Sequence, residues 1–526
     1  MTRAAVYDRY WRSQGGGERH AGMVAQLLAE QLGAGRVDLL GHEETDLVEL
    51  GEHLGLDLSG CRYRLLPDKG EHYVSDVTAD YDFFLNATYM SRVVSKAARS
   101  AYLCFFPTPP DHDLAPWRKR VARTVGPHIY GHQADLEYGP GWYPPETARR
   151  RRGTNRTFVW MIGDAVLALP ASPSRRLAFE VAILRNPPVT EPVTLRLVDE
   201  TGREHAQIGV TPRWTRHVVD LGASGTGTEL RMLSPSFRQP ATDMRQLGVA
   251  MSRMHLQGAH FGPRQRAAGR FPWLLRGVPD HGWLASYDTV IANSAYTAGW
   301  IERLWDGHGS DVLYPPIDAG RLHPAPVREK AIVTVGRFFS PGLGHAKRQV
   351  EMVEAFGRLH MERRLPGWQL WVLGGCEQSQ EPYLREVRRA AAGLPVRVVA
   401  NAPRAEVELA LSTASICWSA TGLHTDEEAA PWTAEHFGMT TVEGMAGGCV
   451  PIVIDRAGQK EIVREGVDGF RWSTVEELMD RTVAVAADEG LRARLAASAV
   501  ERAAAYDTEA FRKRWAAIVA SHDLLP

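Results

Sequence analysis

The stretch Glu435-His436-Phe437-Gly438-Met439-Thr440-Thr441-Val442-Glu443 precedes an apolar helix that ends in Gly447-Gly448, and the apolar strand Val450 to Ile454 follows. A loop, a helix and a buried strand in that order form one arm of a parallel α/β repeat. One carboxylate of the pair sits on the entering loop and the other inside the helix, so they cannot share a turn. Between them the helix N-terminus offers free backbone N–H groups and a partial positive charge, suited to a phosphate. The plainer reading makes Glu435 an N-cap and Glu443 a solvated surface acid.

Two further signals stand in comparable positions upstream. Gly336-Arg337-Phe338-Phe339 follows the strand Ala331 to Val335, and Lys347 comes ten residues after Arg337. A cation leaving the C-terminal end of a parallel strand faces the ligand crevice, and Arg and Lys are natural phosphate partners. Gly15-Gly16-Gly17 follows the first strand, Ala4 to Tyr10, and lets the backbone approach a ligand closely. Each has a bland alternative, a surface charge or a flexible loop. Their common order and placement favours one site.

The rest of the chain supplies the frame. Strands alternate with helices over the first 130 residues: a helix on Met23, Leu27, Leu28 and Leu32, then strands at Val37 to Leu40, Tyr81 to Leu85 and Ala101 to Phe106. From about 150 the helical period is lost, and Arg176 to Leu184, Val193 to Val198 and His205 to Val210 read as short strands of a β-sandwich. Strand and helix alternate again from Pro272, with a helix expected over Trp273 to Ser286, and Pro315-Pro316 marks a linker. A second strand–helix series then runs to two closing helices. The expected divisions are 1–150 and 257–315 for a first Rossmann-like domain, 151–256 for the inserted sandwich, 316–506 for a second Rossmann-like domain, and 507–526 for a helix returning to the first. Such a pair of sheets leaves a cleft between their strand ends.

Composition narrows the function class. The chain has 526 residues, enough for several cores, with 61 basic and 62 acidic residues and a net charge of -1. That balance argues against a dedicated nucleic-acid binder. Five scattered cysteines without a CxxC pair argue against a disulfide framework or a structural zinc site. No apolar run is long enough for a membrane span, and a cytoplasmic protein is expected. The excess of Arg over Lys suggests a GC-rich bacterial genome. Gly15 to His20 reads GGGERH, not the GxGxxG of a dinucleotide-dependent oxidoreductase.

The motifs together resemble glycosyltransferase family 4, across about 288 to 475. Asn293-Ser294, Tyr314-Pro315-Pro316, Val335-Gly336-Arg337-Phe338, Leu373-Gly374-Gly375-Cys376 and Glu435 to Gly448 carry the likeness. Within the family the segment is similar to the mannosyltransferases that extend lipid-linked oligosaccharide on the cytosolic face of the endoplasmic reticulum, and to their bacterial relatives. The resemblance implies an α/β fold of the GT-B type and retaining transfer of a hexose from a nucleotide-sugar. The acceptor would be a hydroxyl of a glycan, a lipid-linked sugar or a small molecule. GDP-mannose is the favoured donor, with a UDP-sugar as the other candidate, and no cofactor or metal is required. Arg337 and Lys347 would bind the donor diphosphate, Glu435 the donor sugar and Glu443 the ribose. His436, Phe437, Gly438, Met439 and Thr440 would line the donor, and Gly16 and Gly17 would approach the phosphates or the acceptor.

There is one departure. Phe105 stands where many family members carry a histidine, with His112, His128 and His132 nearby. A non-catalytic carbohydrate-binding protein that uses the sandwich is the alternative this leaves open. Asp111-His112-Asp113 reads as polar loop surface and not as a metal site. In the insert, Asp243 and Arg245 are two apart and would share a face of one strand, as a salt bridge at the sandwich edge or as a sugar contact. Arg118, Lys119 and Arg120, with the run Arg149 to Arg152, are candidates for peripheral contact with an anionic inner membrane face. A plain solvated surface is the competing reading.

Overall fold

The computed structural model describes residues 2–525 except 14, 131–135, 144–145, 149–155, 170–175, 185–191, 223–227, 240–242, 258–270, 279–280 and 342–345. Two parallel sheets, two five-stranded antiparallel sheets and one two-stranded antiparallel ribbon organise the described residues. The first sheet has seven strands in the spatial order Asp311–Val312, Thr289–Ala292, Arg99–Cys104, Phe83–Asn86, Ala4–Tyr7, Val37–Gly41, Cys61–Leu65. Every pairing in it is parallel. Its central strands are largely buried because helices cover both faces, and Ala4–Tyr7 and Phe83–Asn86 are buried at all four positions.

The second sheet has six parallel strands in the order Val396–Ala400, Gln369–Gly374, Glu329–Val335, Ala414–Ser419, Val450–Ile454, Phe470–Trp472. In each sheet the chain starts in the middle, builds to one side, and then crosses to the other. The crossing point lies beside Ala4–Tyr7 in the first sheet and beside Glu329–Val335 in the second. Ligands of doubly wound sheets bind at that point, outside the strand ends. Gly15-Gly16-Gly17 and Gly336-Arg337 are the loops that leave those two strands. The two Rossmann-like halves anticipated from the alternating pattern are therefore present.

The sandwich is inserted between the helix Pro116–Tyr130 and the strand Thr289–Ala292. One sheet runs Thr215–Asp220, Arg176–Ala182, Ala250–Gln257, Arg156–Trp160, Glu146–Ala148; the other runs Glu204–Gly209, Thr194–Asp199, Thr228–Leu233, Asp164–Leu169, Glu137–Tyr138. Leu177, Phe179 and Val181 of the first pack with Leu167, Leu195 and Met232 of the second. The sandwich thus takes in strands at 137–138 and 146–148, ahead of residue 151. Tyr143 fixes it to the first domain: its hydroxyl donates to Asp68 Oδ2 at 2.7 Å, and Arg9 Nη2 donates to the same oxygen at 2.6 Å.

Two details differ from the sequence reading. Trp273 to Ser286 is not one helix but two short 3₁₀ segments, Pro272–Gly277 and Gly282–Ser286. Gly277 lies so close to the helix Pro116–Tyr130 that a Cβ there would stand 2.2 Å from Ala122 C. The first strand stops at Tyr7, and a 3₁₀ turn, Trp11–Ser13, follows it. Arg245, expected to share a strand face with Asp243 (whose side chain lies outside the described residues), is partly buried. It pairs with Glu146 at 2.5 Å, and its guanidinium lies over the Tyr143 ring at 5.0 Å. At the other end of the chain, Phe511, Trp515 and Ile518 of the helix Thr508–Ser521 are buried in the core of the first domain.

Candidate active site

The second domain forms one wall of the cleft. Strand Glu329–Val335 ends in Gly336-Arg337, beside the end of Gln369–Gly374. A Cβ on Gly374 would stand 1.9 Å from Gly336 O, so the two strand ends meet only because glycine is there. Gln349, 1% exposed, holds the turn: its Nε2 donates to Gly336 O and Arg337 O, both at 3.1 Å, and its Oε1 accepts from Tyr383 OH at 3.2 Å. The Arg337 guanidinium is exposed over the Phe339 ring at 4.7 Å. The stem of Lys347 lies on Gly336, where a Cβ would be 2.6 Å from Lys347 Cγ, and its Nζ forms an ion pair with Glu435 Oε2.

Glu435 and Glu443 stand at either end of the turn into the helix Met439–Ala446. Gly438 takes a φ of 115° at the cap, a conformation open to glycine, with Gln459 Nε2 2.7 Å from where a Cβ would be. Gly458 N donates to Glu435 O at 2.9 Å and holds the loop from below. The His436 ring stacks on Phe106 of the first domain, centroids 4.3 Å apart and planes 17° apart. Phe437 is buried against Tyr314 and Tyr506, each 5.3 Å between centroids. Met439 and Thr440 open the helix and remain partly exposed. Burial pushes the Glu443 carboxyl above the ordinary carboxylate range, while the Arg19 guanidinium, 3.7 Å away, opposes the shift.

The first domain forms the facing wall, mostly from backbone and rings. Gly15 N donates to Glu18 Oε2 at 2.6 Å as the chain enters the helix Gly16–Leu32. A Cβ on Gly16 would lie 2.5 Å from Met439 Sδ, which brings the glycine loop against the N-terminus of the opposite helix. A Cβ on Gly17 would lie 3.3 Å from the Phe105 ring. Phe105 covers His20, with ring centroids at 6.1 Å, and His20 also meets Phe511 at 5.4 Å. Burial drives the His20 pKa down to about 3, so the imidazole is neutral. His112 lies off the cleft floor against Trp432, centroids at 5.9 Å, with burial lowering its pKa. His132 and the side chain of His128 lie outside the described residues. Asp111 pairs with Arg123 at 2.8 Å and Asp113 pairs with Arg276, so both loop acids are engaged by arginines.

Sequence reasoning missed the contacts that join the walls. Glu461 of the second domain accepts from the backbone N–H groups of Ala295 (2.9 Å) and Tyr296 (2.6 Å), at the start of the helix Ala295–Leu304 in the first domain. It also accepts from Tyr314 OH at 2.9 Å. A carboxylate capping a helix of another domain leaves no local signal. Arg19, in the first turn of the helix Gly16–Leu32, also reaches the opposite wall. Its signal is legible, because a cation in the first helical turn opposes the helix dipole. Of the basic candidates, Arg118 lies between the rings of Trp117 (5.1 Å) and Trp273 (5.4 Å), and Lys119 lies over Trp432 at 4.8 Å. Arg120 is exposed, and Arg149 to Arg152 fall outside the described residues. Among the described residues no group of three His, Cys, Asp or Glu is placed to hold a metal. Among them also no helix is long and apolar enough to cross a membrane.

Residues 322–502, which include all four charged candidates, match the family described as Glycosyl transferases group 1. This segment is a glycosyl transferases group 1 domain. The GDP-Man:Man(3)GlcNAc(2)-PP-Dol alpha-1,2-mannosyltransferase of Homo sapiens is 30% identical over 234 residues, covering 40% of this chain and 44% of that protein. Its counterpart in Xenopus tropicalis is 30% identical over 213 residues, covering 37% and 40%. The chain thus spans less than half the length of these relatives. Among solved structures, HepE of Anabaena in complex with UDP and glucose superposes with a TM-score of 0.53 at 11% identity, covering 99% of this chain and 100% of that one. Sucrose-phosphate synthase from Thermosynechococcus elongatus gives 0.50 at 12% identity, covering 99% and 98%. These similarities show the fold, which is GT-B, over nearly the whole chain.

Proposed function

We propose that this protein is a retaining hexosyltransferase that moves a sugar, mannose by preference, from a nucleotide donor to a hydroxyl of a glycan, lipid-linked sugar or small molecule. One observation carries the reading. Lys347, Glu435 and the N-terminus of the helix Met439–Ala446 meet at one strand-end crevice, opposite Gly16. A departing nucleoside diphosphate gains negative charge, and cations and N–H dipoles already in place stabilise that charge without reorganising. Arg337 and Lys347 would take the diphosphate, and the backbone at Phe437 to Met439 would lie beside it. Glu435 would release Lys347 and take hydroxyls of the donor sugar, while Glu443 would take the ribose.

Retention would follow if the acceptor hydroxyl attacks on the face the diphosphate leaves, giving its proton to a leaving phosphate oxygen. The new C–O bond forms as the old one breaks, and no carboxylate nucleophile is needed. GDP-mannose is favoured by the likeness to the mannosyltransferases whose names give GDP-Man as donor. Peripheral contact with an anionic membrane would use Trp117, 61% exposed, with Arg118 and Arg120. Sedimentation with phosphatidylserine vesicles at low salt, absent in a Trp117→Ala/Arg120→Ala variant, is the expected result.

The test is a panel of GDP-, UDP-, ADP- and dTDP-sugars, with released nucleotide measured with and without candidate glycan acceptors. One donor turned over with retention supports the reading. The absence of both turnover and binding across the whole panel would refute it.

A further inference from the structure

The donor reading gives no role to Arg19, and its surroundings ask for one. It lies in the first turn of the helix Gly16–Leu32, directly after the glycine loop, and is 4% exposed. A cation there opposes the helix dipole, and a buried guanidinium is costly unless acceptors satisfy it. Yet Arg19 Nε has no hydrogen-bond partner. The ion pair it does make crosses between the domains: Nη1 lies 3.7 Å from Glu443 Oε1, beyond hydrogen-bond length. The other charges around the pair are engaged with one another. Arg404 Nε donates to Glu408 at 2.8 Å, and Arg321 reaches Asp318 at 3.9 Å and Glu408 at 3.8 Å.

We propose that Arg19 completes the nucleotide subsite from the first domain, keeping Glu443 as a carboxylate for the ribose and making the site whole only when the two walls are together. The inference rests on the reading of Glu443 as a ribose ligand. It makes Arg19 a positioning residue that acts through Glu443. Burial drives Glu443 toward the neutral acid, and Arg19 works against this. Arg404 favours the carboxylate as Arg19 does, whereas Glu408 and Asp318 disfavour it. Removing Arg19 therefore raises the pH at which Glu443 loses its charge. A protonated Glu443 accepts ribose hydroxyls poorly, so binding fails first on the acid side and recovers as pH rises.

The experiment is calorimetric titration of GDP and of UDP into the full chain, from about pH 5.5 to about pH 8.5, for wild type, Arg19→Gln, Arg19→Lys, Glu443→Gln and the double variant Arg19→Gln/Glu443→Gln. Arg19→Gln is expected to weaken nucleotide binding about tenfold near pH 6, the equivalent of about one pKa unit, and far less near pH 8.5. Arg19→Lys should restore most of the acid-side affinity. The double variant should bind no worse than Glu443→Gln. Thermal melting establishes that each variant is folded. Arg19→Gln binding as wild type does at every pH would overturn the proposal. A loss equal at every pH, rescued by lysine or not, would overturn it too. Wild type that binds neither nucleotide would overturn the donor reading itself, and this inference with it.

Discussion

The two walls of the cleft are built from different chemistry. The second domain presents charge: Arg337, Lys347, Glu435 and Glu443, held on strand ends and a helix N-terminus. The first presents shape: the bare backbone of Gly16 and Gly17, the rings of Phe105 and Phe106, and a neutral, buried His20 between Phe105 and Phe511. Arg19 is the exception, a cation of the first wall that reaches the second. The contrast separates a wall suited to an anionic leaving group from one that positions by contact. On the proposed reading the charged wall would take the donor diphosphate and the facing wall the acceptor.

Substitutions can break this contrast or sharpen it. The largest effect is expected on the charged wall: Lys347→Ala should lower nucleotide release from the preferred donor about 100- to 1,000-fold, the usual consequence of losing one preorganised group facing developing charge. Turnover within a few-fold of wild type would show that the wall does not carry the chemistry. Gly374→Ala tests how that wall is held. The added Cβ meets backbone, Gly336 O at 1.9 Å, which cannot turn aside as a side chain would. A loss of about 1–3 kcal/mol in denaturant unfolding is expected, and an unchanged midpoint would contradict the close approach.

On the uncharged wall the effects are smaller. His20 is neutral when folded, with its pKa down at about 3 against 6.5 when exposed. The unfolded chain therefore binds the extra proton as pH falls below about 6.5, and stability drops by up to about 1.4 kcal/mol per pH unit in that window. His20→Leu should remove this share of the acid sensitivity while leaving stability above pH 7 nearly unchanged. Thermal melting across that range is the check, and an identical acid slope would show that His20 is not held neutral. Smallest of all, Gly17→Ala would press a methyl on the Phe105 ring at 3.3 Å, a contact the ring can yield to. A few-fold loss in transfer to acceptor, with donor hydrolysis unchanged, would assign that contact to the acceptor side.

What could be read from the sequence follows the same division. Glu435 to Glu443, Gly336-Arg337 and Lys347 lie on short local patterns whose secondary structure is set by period and by glycine, so their crevice could be placed without coordinates. The alternating strands and helices likewise gave two Rossmann-like halves. Contacts between distant segments left no such trace. Glu461 capping the helix Ala295–Leu304 and Tyr143 clamped to Asp68 join residues far apart in the chain. The 3₁₀ segments at Pro272–Gly277 and Gly282–Ser286 have the apolar spacing of a helix, and the backbone packing of Gly277 on Ala122 left no trace in that spacing. Phe105 was legible as a departure. That it shields a buried histidine needed the fold.

The central claim is that a nucleoside diphosphate binds between the two walls on the second domain's charges, and a crystal structure of the full chain grown with GDP would test it most directly. The account predicts phosphate oxygens within about 3 Å of Lys347 Nζ and the Arg337 guanidinium, with Glu435 drawn off Lys347 and the ribose at Glu443. Nucleotide bound at the sandwich, or in the cleft with the Lys347–Glu435 pair intact and Glu443 untouched, would contradict it.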